Sequence, residues 1–532
     1  MSPINPGGER QFVDKILDEN AAKIEQIRET FQAPSFAVGV IRKGERFFRG
    51  FGYANHETRR KPDDKTIYGV GSCTKAFTAT ILARLAHDGA LDLDVPVSDN
   101  MPDLKTACNP VVGETMTTRD MASHCVGLGH MLYRFIGKHG MVFTDRSDVP
   151  LIFNSLPKVA EFRSEWQYNN WLYALSGVLI TQLSGKSLGS MAEEEIFSKL
   201  AMERSSFTSP ADDNFATSYL VFDNRPAQPM PLPSLADGDA FDSSGAMRSC
   251  VSDMLTWADA LMKARRASLR EALAEIQEPY FPLADDPNQQ YAMGLYSLHL
   301  PTPEINAVTN IYANPSYILG QDSRPRAVIG HPGEYGGFLS VYWTFPEDET
   351  AIVVLCNSFG INGNPANIVA QLIAQELFDM KPRVEFVQVA ESTVANARKR
   401  WTDLRGAWIS RRVLGTEPAA LDSYTGRFYN VALAMELQFT VLQVDPAPRL
   451  CLVINGRPEQ DFKLTYYHHD TWTFLPETRD ECIFEGYSSY VSRLECVILE
   501  FHTFLDDMFQ EVKWQLDPDP RDSPTVFQRL YL

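Results

Sequence analysis

The chain has 532 residues, 44% of them hydrophobic, with 49 Lys+Arg against 68 Asp+Glu and a net charge of −19. That length predicts more than one domain and a large core. The acidic balance, with no long basic run, excludes nucleic acid and an anionic membrane surface as expected partners. No apolar run reaches the length of a bilayer span. Met1–Gly8 lacks the basic-then-apolar pattern of a secretory leader, so a cytoplasmic location is expected. The eight cysteines (73, 108, 125, 250, 356, 451, 482, 496) are scattered without a close CxxC pair, which predicts reduced thiols and no disulfide framework.

Residues 10–31 read as one amphipathic helix, with Phe12, Ile16, Ile24, Ile27 and Phe31 near one face. Phe36–Ile41 and Arg46–Tyr53 follow as two strands of a hairpin turning at Lys43-Gly44. Ser72-Cys73-Thr74-Lys75 comes next. Phe77, Ile81, Leu82 and Leu85 lie at helical spacing behind it, so Ser72 is expected at the first turn of a mostly buried helix. Residues three apart share a helix face. A serine hydroxyl needs a base to take its proton, and a lysine can serve when burial lowers its pKa. The free N–H groups of a first helical turn could also hold an oxyanion. Ser155-Leu156-Pro157-Lys158 repeats the spacing, but Pro157 argues for a loop. Cys73 is expected to face away from the serine.

Leu91–Val97 reads as a loop and Thr117–His124 as a short helix capped by Thr118. Residues 126–165 are irregular. Gln167-Tyr168-Asn169-Asn170 then leads into a helix starting near Asn170. Gly185-Lys186-Ser187-Leu188-Gly189 has the spacing of a nucleophile elbow, but it follows a helix where the elbow needs a strand. Residues 209–240 and much of 301–328 are predicted loops, of the kind that wall pockets. Between them Ser243-Ser244-Gly245 makes a turn before a helix through Trp257. Gly330-His331-Pro332-Gly333-Glu334-Tyr335 heads a strand, and Phe338–Phe345 with Ala351–Asn357 forms a second hairpin.

Residues 386–412 read as a connecting helix. After them, Gly426–Tyr429, Leu437–Val444, Leu450–Ile454, Thr471–Leu475 and Val497–Phe501 are short strands of a small antiparallel sandwich or barrel. His468-His469-Asp470 falls in a predicted strand, where neighbours face opposite ways, so no metal is expected there.

Ser72-Cys73-Thr74-Lys75, Tyr168-Asn169-Asn170 and His331-Pro332-Gly333, in that order, resemble the S-x-x-K, Y-x-N and K-T-G or H-x-G motifs of the serine β-lactamase and penicillin-binding-protein superfamily. The nearest branch is the class C β-lactamase-like one, with family VIII esterases, D-aminopeptidases and statin-type acyltransferases. Leu85–Val97 and Thr118–Leu128 resemble the branch's connecting segments, and the likeness spans about residues 30–380. It implies an α+β fold in which a β-lactamase/transpeptidase-like antiparallel sheet is flanked by helices and a helical subdomain. A lipocalin-like C-terminal antiparallel β-barrel follows. The expected division is a catalytic domain at 1–385, a connecting helix or linker at 386–420, and the barrel at 421–532.

The resemblance also assigns roles. Ser72 attacks an acyl carbonyl and Lys75 takes its proton. Tyr168, as a phenolate beside the lysine, shuttles a proton to the leaving group and later activates water or an acceptor. Asn170 bonds lysine and substrate, and His331 stands in the third motif. The N–H groups of Ser72 and Glu334 form an oxyanion hole, and Gly333 lets substrate lie along the strand edge. Tyr133, Phe135, Trp166 and Tyr335 are candidates for an aromatic pocket or for core. His331-Pro332 replaces the Lys-Thr that engages a substrate carboxylate, so weak β-lactam turnover at most is expected. Phe162–Trp166 lacks the family's Pro-Gly turn. The expected function is a cofactor-free, metal-free serine hydrolase acting on a small-molecule ester or amide through acyl-Ser72. Acyl transfer to an alcohol or amine, a non-catalytic scaffold and a binding role for the C-terminal domain are the alternatives. Oligomeric state stays open.

Overall fold

The computed structural model describes residues 6–208, 213–231, 235–263, 269–283, 286, 288–309, 317–360, 363–443 and 447–531. Its first sheet has eight strands: β1 (Ser35–Arg42), β2 (Glu45–Gly52), β3 (Phe281–Pro282), β4 (Gln290–Tyr291), β5 (Tyr296–Leu300), β6 (Arg326–Tyr335), β7 (Phe338–Phe345) and β8 (Thr350–Cys356). Their order is β2-β1-β8-β7-β6-β5-β4-β3, antiparallel throughout. Strand β8, Thr-Ala-Ile-Val-Val-Leu-Cys, is buried at all seven positions because helices cover both faces of the sheet. Ile352, Val354 and Cys356 face one apolar cluster, and Ala351, Val353 and Leu355 face the other, as the two-residue period of a strand requires.

The helices include α1 (Pro6–Glu19), α2 (Ala21–Thr30), α3 (Thr74–His87), α4 (Thr118–Ala122), α5 (Asn170–Ser184), α6 (Val251–Lys263), α7 (Pro365–Phe378) and α8 (Phe386–Arg411), with shorter ones between them. The single helix expected over 10–31 is two, parted at Asn20, whose side chain bonds back to Ile16 O at 2.9 Å; Phe12 is exposed. The cap of α4 is Thr117, one residue before the expected Thr118. It makes a reciprocal capping box with Asp120. Ser184 ends α5 and Gly185 closes it at φ 68°, so Gly185–Gly189 is a helix-to-helix turn.

Helix α8 leads into a second sheet of nine strands: β9 (Gly426–Asn430), β10 (Met435–Leu442), β11 (Arg449–Ile454), β12 (Asp461–Lys463), β13 (Thr465–His468), β14 (Thr471–Thr473), β15 (Ile498–Leu505), β16 (Met508–Trp514) and β17 (Thr525–Arg529). The order β12-β11-β10-β9-β17-β16-β15-β14-β13 makes a nearly closed antiparallel barrel. The strand expected over Leu437–Val444 ends at Leu442, and residue 444 lies outside the described residues. Phe428, Phe439, Phe501, Phe509, Tyr424 and Trp514 fill the interior, all at most 4% exposed. His468 ends β13, and His469 and Asp470 form the turn after it at φ 42° and 58°, not the strand expected. Among the described residues no group of three or more His, Cys, Asp or Glu is placed to hold a metal ion, and no helix is long and apolar enough to cross a membrane. All eight cysteines are free, and only Cys108 is exposed.

The barrel docks on the irregular segment 126–145. Buried Arg134 donates to Leu433 O and to Ala434 O (3.2 Å), and Tyr490 Oη donates to Ile136 O at 3.1 Å. One contiguous apolar cluster runs from α3 and α5 through Tyr133 into the barrel.

Candidate active site

Ser72 sits in a 3-10 turn, Gly71–Cys73, that feeds directly into α3. The turn is pinned from several sides. Thr74 Oγ1 donates to Gly71 O at 2.6 Å, Ser340 Oγ donates to Val70 O at 2.8 Å, and Cys73 Sγ donates to His331 O at 3.1 Å. Cys73 is therefore spent on packing the turn against β6, and burial pushes its thiol up to about 12. Gly71 has φ 48°, and a Cβ built on it would lie 2.6 Å from Glu334 N. A Cβ on Gly333 would lie 2.0 Å from Val70 O and 2.4 Å from Ser340 Oγ. Gly333 thus serves the close approach of β6 to the serine turn, and it also borders the cavity beside Ser72. Together these glycines bring the Glu334 amide against the turn that carries Ser72.

Lys75 Nζ lies 3.1 Å from Ser72 Oγ and donates to Ser244 O at 2.9 Å. Its side chain is fully buried, over the rings of Tyr168 (4.8 Å) and Tyr173 (5.2 Å). No carboxylate is hydrogen-bonded to it among the described residues. Desolvation therefore drives its pKa well below the usual lysine value. Tyr168 Oη donates to Ser72 Oγ at 2.8 Å. Burial pushes its phenol above its ordinary value, which favours the protonated form.

Asn170 faces elsewhere than expected. Its Nδ2 meets His130 Nε2 at 3.2 Å, and no bond to Lys75 forms. His331 is 1% exposed, with Nε2 3.0 Å from Tyr291 Oη and its ring beside Tyr296 at 5.1 Å. Burial first, then the Lys75 charge, pulls its pKa down to about 3, so it is neutral at physiological pH.

The three motifs border a cavity of about 690 Å³. Tyr133 and Trp166 line it with Leu132, Tyr296 and Val308. Phe135 and Tyr335 do not. Phe135 is 2% exposed and stacks on Phe241 at 4.2 Å. Tyr335, at the far end of β6, borders a separate small space with Arg248 and Phe338. The cavity's opposite wall comes from the C-terminal part of the chain: Arg400 on α8, then Ser488, Ser489, Val491, Ser492 and Pro518. Nothing in the local sequence of those residues marks them as a pocket wall.

Sequence reasoning also missed His124. Its Nδ1 accepts Asn169 N–H at 3.2 Å, and its ring lies 4.5 Å from that of Tyr168. The segment before Tyr168, which lacks a Pro-Gly turn, turns instead through Arg163 at φ 57°. Its guanidinium bonds fully buried Asp120 through Nε (2.7 Å) and Nη2 (2.6 Å), which ties the Tyr168 segment to α4.

Residues 20–375 match the family model described as Beta-lactamase, a stretch that includes Ser72, Lys75, Tyr168, Asn170, His331 and Glu334. Among curated proteins, the chain is 27% identical over 259 residues to "Unguisins hydrolase ungD'" of Aspergillus campestris (strain IBT 28561), covering 46% of this chain and 47% of that protein. It is 30% identical over 117 residues to "Serine beta-lactamase-like protein LACTB, mitochondrial" of Homo sapiens, covering 22% and 21%. The match thus spans about half the length, or less, of these two curated relatives. A solved class C beta lactamase from Rhodobacter sphaeroides shares the fold at TM-score 0.55 and 24% identity, over 67% of this chain and 99% of that one.

Proposed function

The chain belongs to the beta-lactamase family, and on that premise we propose that it is a serine hydrolase that cleaves a small-molecule ester or amide through an acyl-Ser72 intermediate. One observation carries the reading: Ser72 Oγ lies 3.1 Å from a buried lysine amine with no carboxylate bonded to it, and 2.8 Å from a tyrosine hydroxyl. A neutral Lys75 accepts the Ser72 proton as Oγ bonds to the acyl carbonyl carbon. The oxygen turns into the hole formed by the N–H groups of Ser72 and Glu334. Collapse breaks the bond to the leaving group, which takes the Tyr168 proton. Tyr168 is left as a phenolate beside the Lys75 ammonium. Water then attacks the acyl carbon as the Tyr168 phenolate takes its proton, and collapse breaks the bond to Ser72 Oγ, which takes the proton of the Lys75 ammonium. Protonated Tyr168 fits the first half of this cycle, because a phenol can give a proton where a phenolate cannot.

The catalytic unit is residues 1–385, with 386–420 connecting it to the 421–532 barrel. The cavity's apolar wall favours an apolar acyl or leaving group, and neutral His331 with Pro332 offers a substrate carboxylate no cation. Hydrolysis is preferred over acyl transfer because a relative matched over 46% of this chain bears the name of a hydrolase.

The test is incubation with activated esters of varied acyl length and a fluorescent penicillin, with and without acceptor alcohols and amines, read by intact mass and peptide mapping. The expected result is an acyl adduct on the Ser72 peptide, absent in Ser72→Ala, with little penicillin label. Product acylated on the acceptor in place of free acid would move the assignment to transfer. No adduct and no turnover with any ester would overturn the reading in favour of a scaffold.

A further inference from the structure

The Tyr168–Asn170 turn is braced from the other end of the chain. The segment that leaves β16, residues 516–521, bonds two stretches of the catalytic unit at once. Asp517, 1% exposed, accepts Met131 N–H on Oδ2 at 2.6 Å, and Leu516 O accepts Tyr133 N–H at 3.0 Å. Met131 has φ 45°, a left-handed conformation that a non-glycine residue keeps only when its surroundings hold it. The residue before it is His130, whose Nε2 meets Asn170 Nδ2 at 3.2 Å. With Nδ2 donating, His130 carries its ring proton on Nδ1. Leu128 O and Gly129 O accept from Asn169 Nδ2 at 3.0 and 3.1 Å. On the second stretch, Gln167 Nε2 donates to Asp519 Oδ2 at 3.3 Å, and Arg521 joins Asp519 to Glu165. Residues 516–521 lie outside the stretch that matches the family model.

We propose that the C-terminal barrel positions the Tyr168–Asn170 turn, with Asp517 and His130 as the positioning residues. The inference rests on the acyl-Ser72 reading above. Loss of the Asp517 carboxylate leaves a buried N–H without an acceptor and releases the left-handed Met131. His130 then leaves Asn170, and Tyr168, two residues earlier, loses its 2.8 Å register with Ser72. A displacement of ~1 Å in such a group costs ~10²-fold in rate.

The experiment uses the full chain and an ester that acylates the wild-type protein. Asp517→Ala and His130→Ala are made singly and together. Asp480→Ala is the control: Asp480, also buried and on the C-terminal part, accepts the N–H groups of Asp223 and Asn224, away from the Tyr168 turn. Expected are a fall in kcat of about 10- to 100-fold in Asp517→Ala with KM within about twofold, and both constants within about twofold in Asp480→Ala. The double variant should lose no more than about twofold beyond the worse single, because both act through one contact. Asp517→Ala behaving as Asp480→Ala, or a double loss equal to the product of the singles, overturns the proposal. Should Asp517→Ala fail to fold, His130→Ala carries the test alone: the same fall in kcat is expected, and a kcat within about twofold of wild type overturns the proposal. Absence of Ser72 acylation in the wild-type protein overturns the acyl-enzyme reading itself and the proposal with it, and shows before any variant is made.

Discussion

Gly71→Ala probes whether the serine turn and β6 must touch for the oxyanion hole to exist. The added methyl would meet Glu334 N at 2.6 Å, C at 2.7 Å and O at 2.9 Å, against about 3.4 Å for ordinary contact. These are backbone atoms of a ladder strand, so they cannot swing aside as a side-chain tip would. The turn and the strand must part by up to about 0.8 Å, more than the ~0.5 Å tolerance of a catalytic constellation. The left-handed φ of 48° adds ~1–2 kcal/mol of strain. Gly89→Ala separates the two effects: its φ is 78°, but nothing lies within 4 Å of the new Cβ. Both variants should melt earlier than wild type. Only Gly71→Ala should lose kcat/KM, by ~10²–10³-fold, the usual effect of one lost oxyanion donor. The assay is steady-state hydrolysis of the acylating ester beside thermal melts of both variants. A Gly71→Ala enzyme within threefold of Gly89→Ala in kcat/KM would refute the argument that this contact builds the hole.

Other consequences are as direct. Protonated Lys75 cannot accept the Ser72 proton, so kcat/KM should rise with pH through the lysine's pKa and reach its plateau well below pH 10.5; Lys75→Arg, which stays charged, should cost ~10²–10⁴-fold in kcat. Ser489 lines the cavity from the barrel side; Ser489→Phe should raise KM for long-chain esters by about tenfold or more while acetate esters stay within about threefold, measured across an acyl-length series. Burial, then the Asp517 charge, pushes the Asp522 carboxyl up to about 6 from 3.8. The folded protein thus binds a proton there that the unfolded chain has released, and stability is lost as pH rises from about 4 to 6. Asp522→Asn should therefore raise Tm at pH 7.5, with the gain shrinking toward pH 4, as followed by thermal melts.

Local rules made several elements legible. Apolar runs fix β1, β7 and β8 because strands covered on both faces can carry little else, and β2 follows β1 across the Lys43-Gly44 turn. The serine helix declares itself through Phe77, Ile81, Leu82 and Leu85, all of which are buried. Errors came where a local signal competed with a neighbour. Asn20 turns its side chain back onto Ile16 and breaks a helix whose apolar spacing runs on. Thr117 and Thr118 are equally good caps by residue type, and only the reciprocal bond with Asp120 selects the first. Phe135 and Tyr335 are aromatic like Tyr133 and Trp166, and composition does not say which rings face a cavity and which face Phe241 or Arg248.

The sequence by itself determined the chemistry available: a serine and a lysine three residues apart on one helix face and a tyrosine before a second helix. Spacing along a helix or strand is set by backbone geometry, so it can be read without knowing the rest of the fold. The tertiary structure alone decided what long-range contact controls. It strips water from Lys75, turns Asn170 toward His130, and directs Gly333 at Val70 O. It also brings Ser488–Ser492 and Asp517, more than 300 positions from Tyr168 in the chain, to the cavity wall and to the turn that holds the tyrosine. Desolvation and packing depend on which segments meet in space, and segments that far apart leave no periodic trace in each other's sequence.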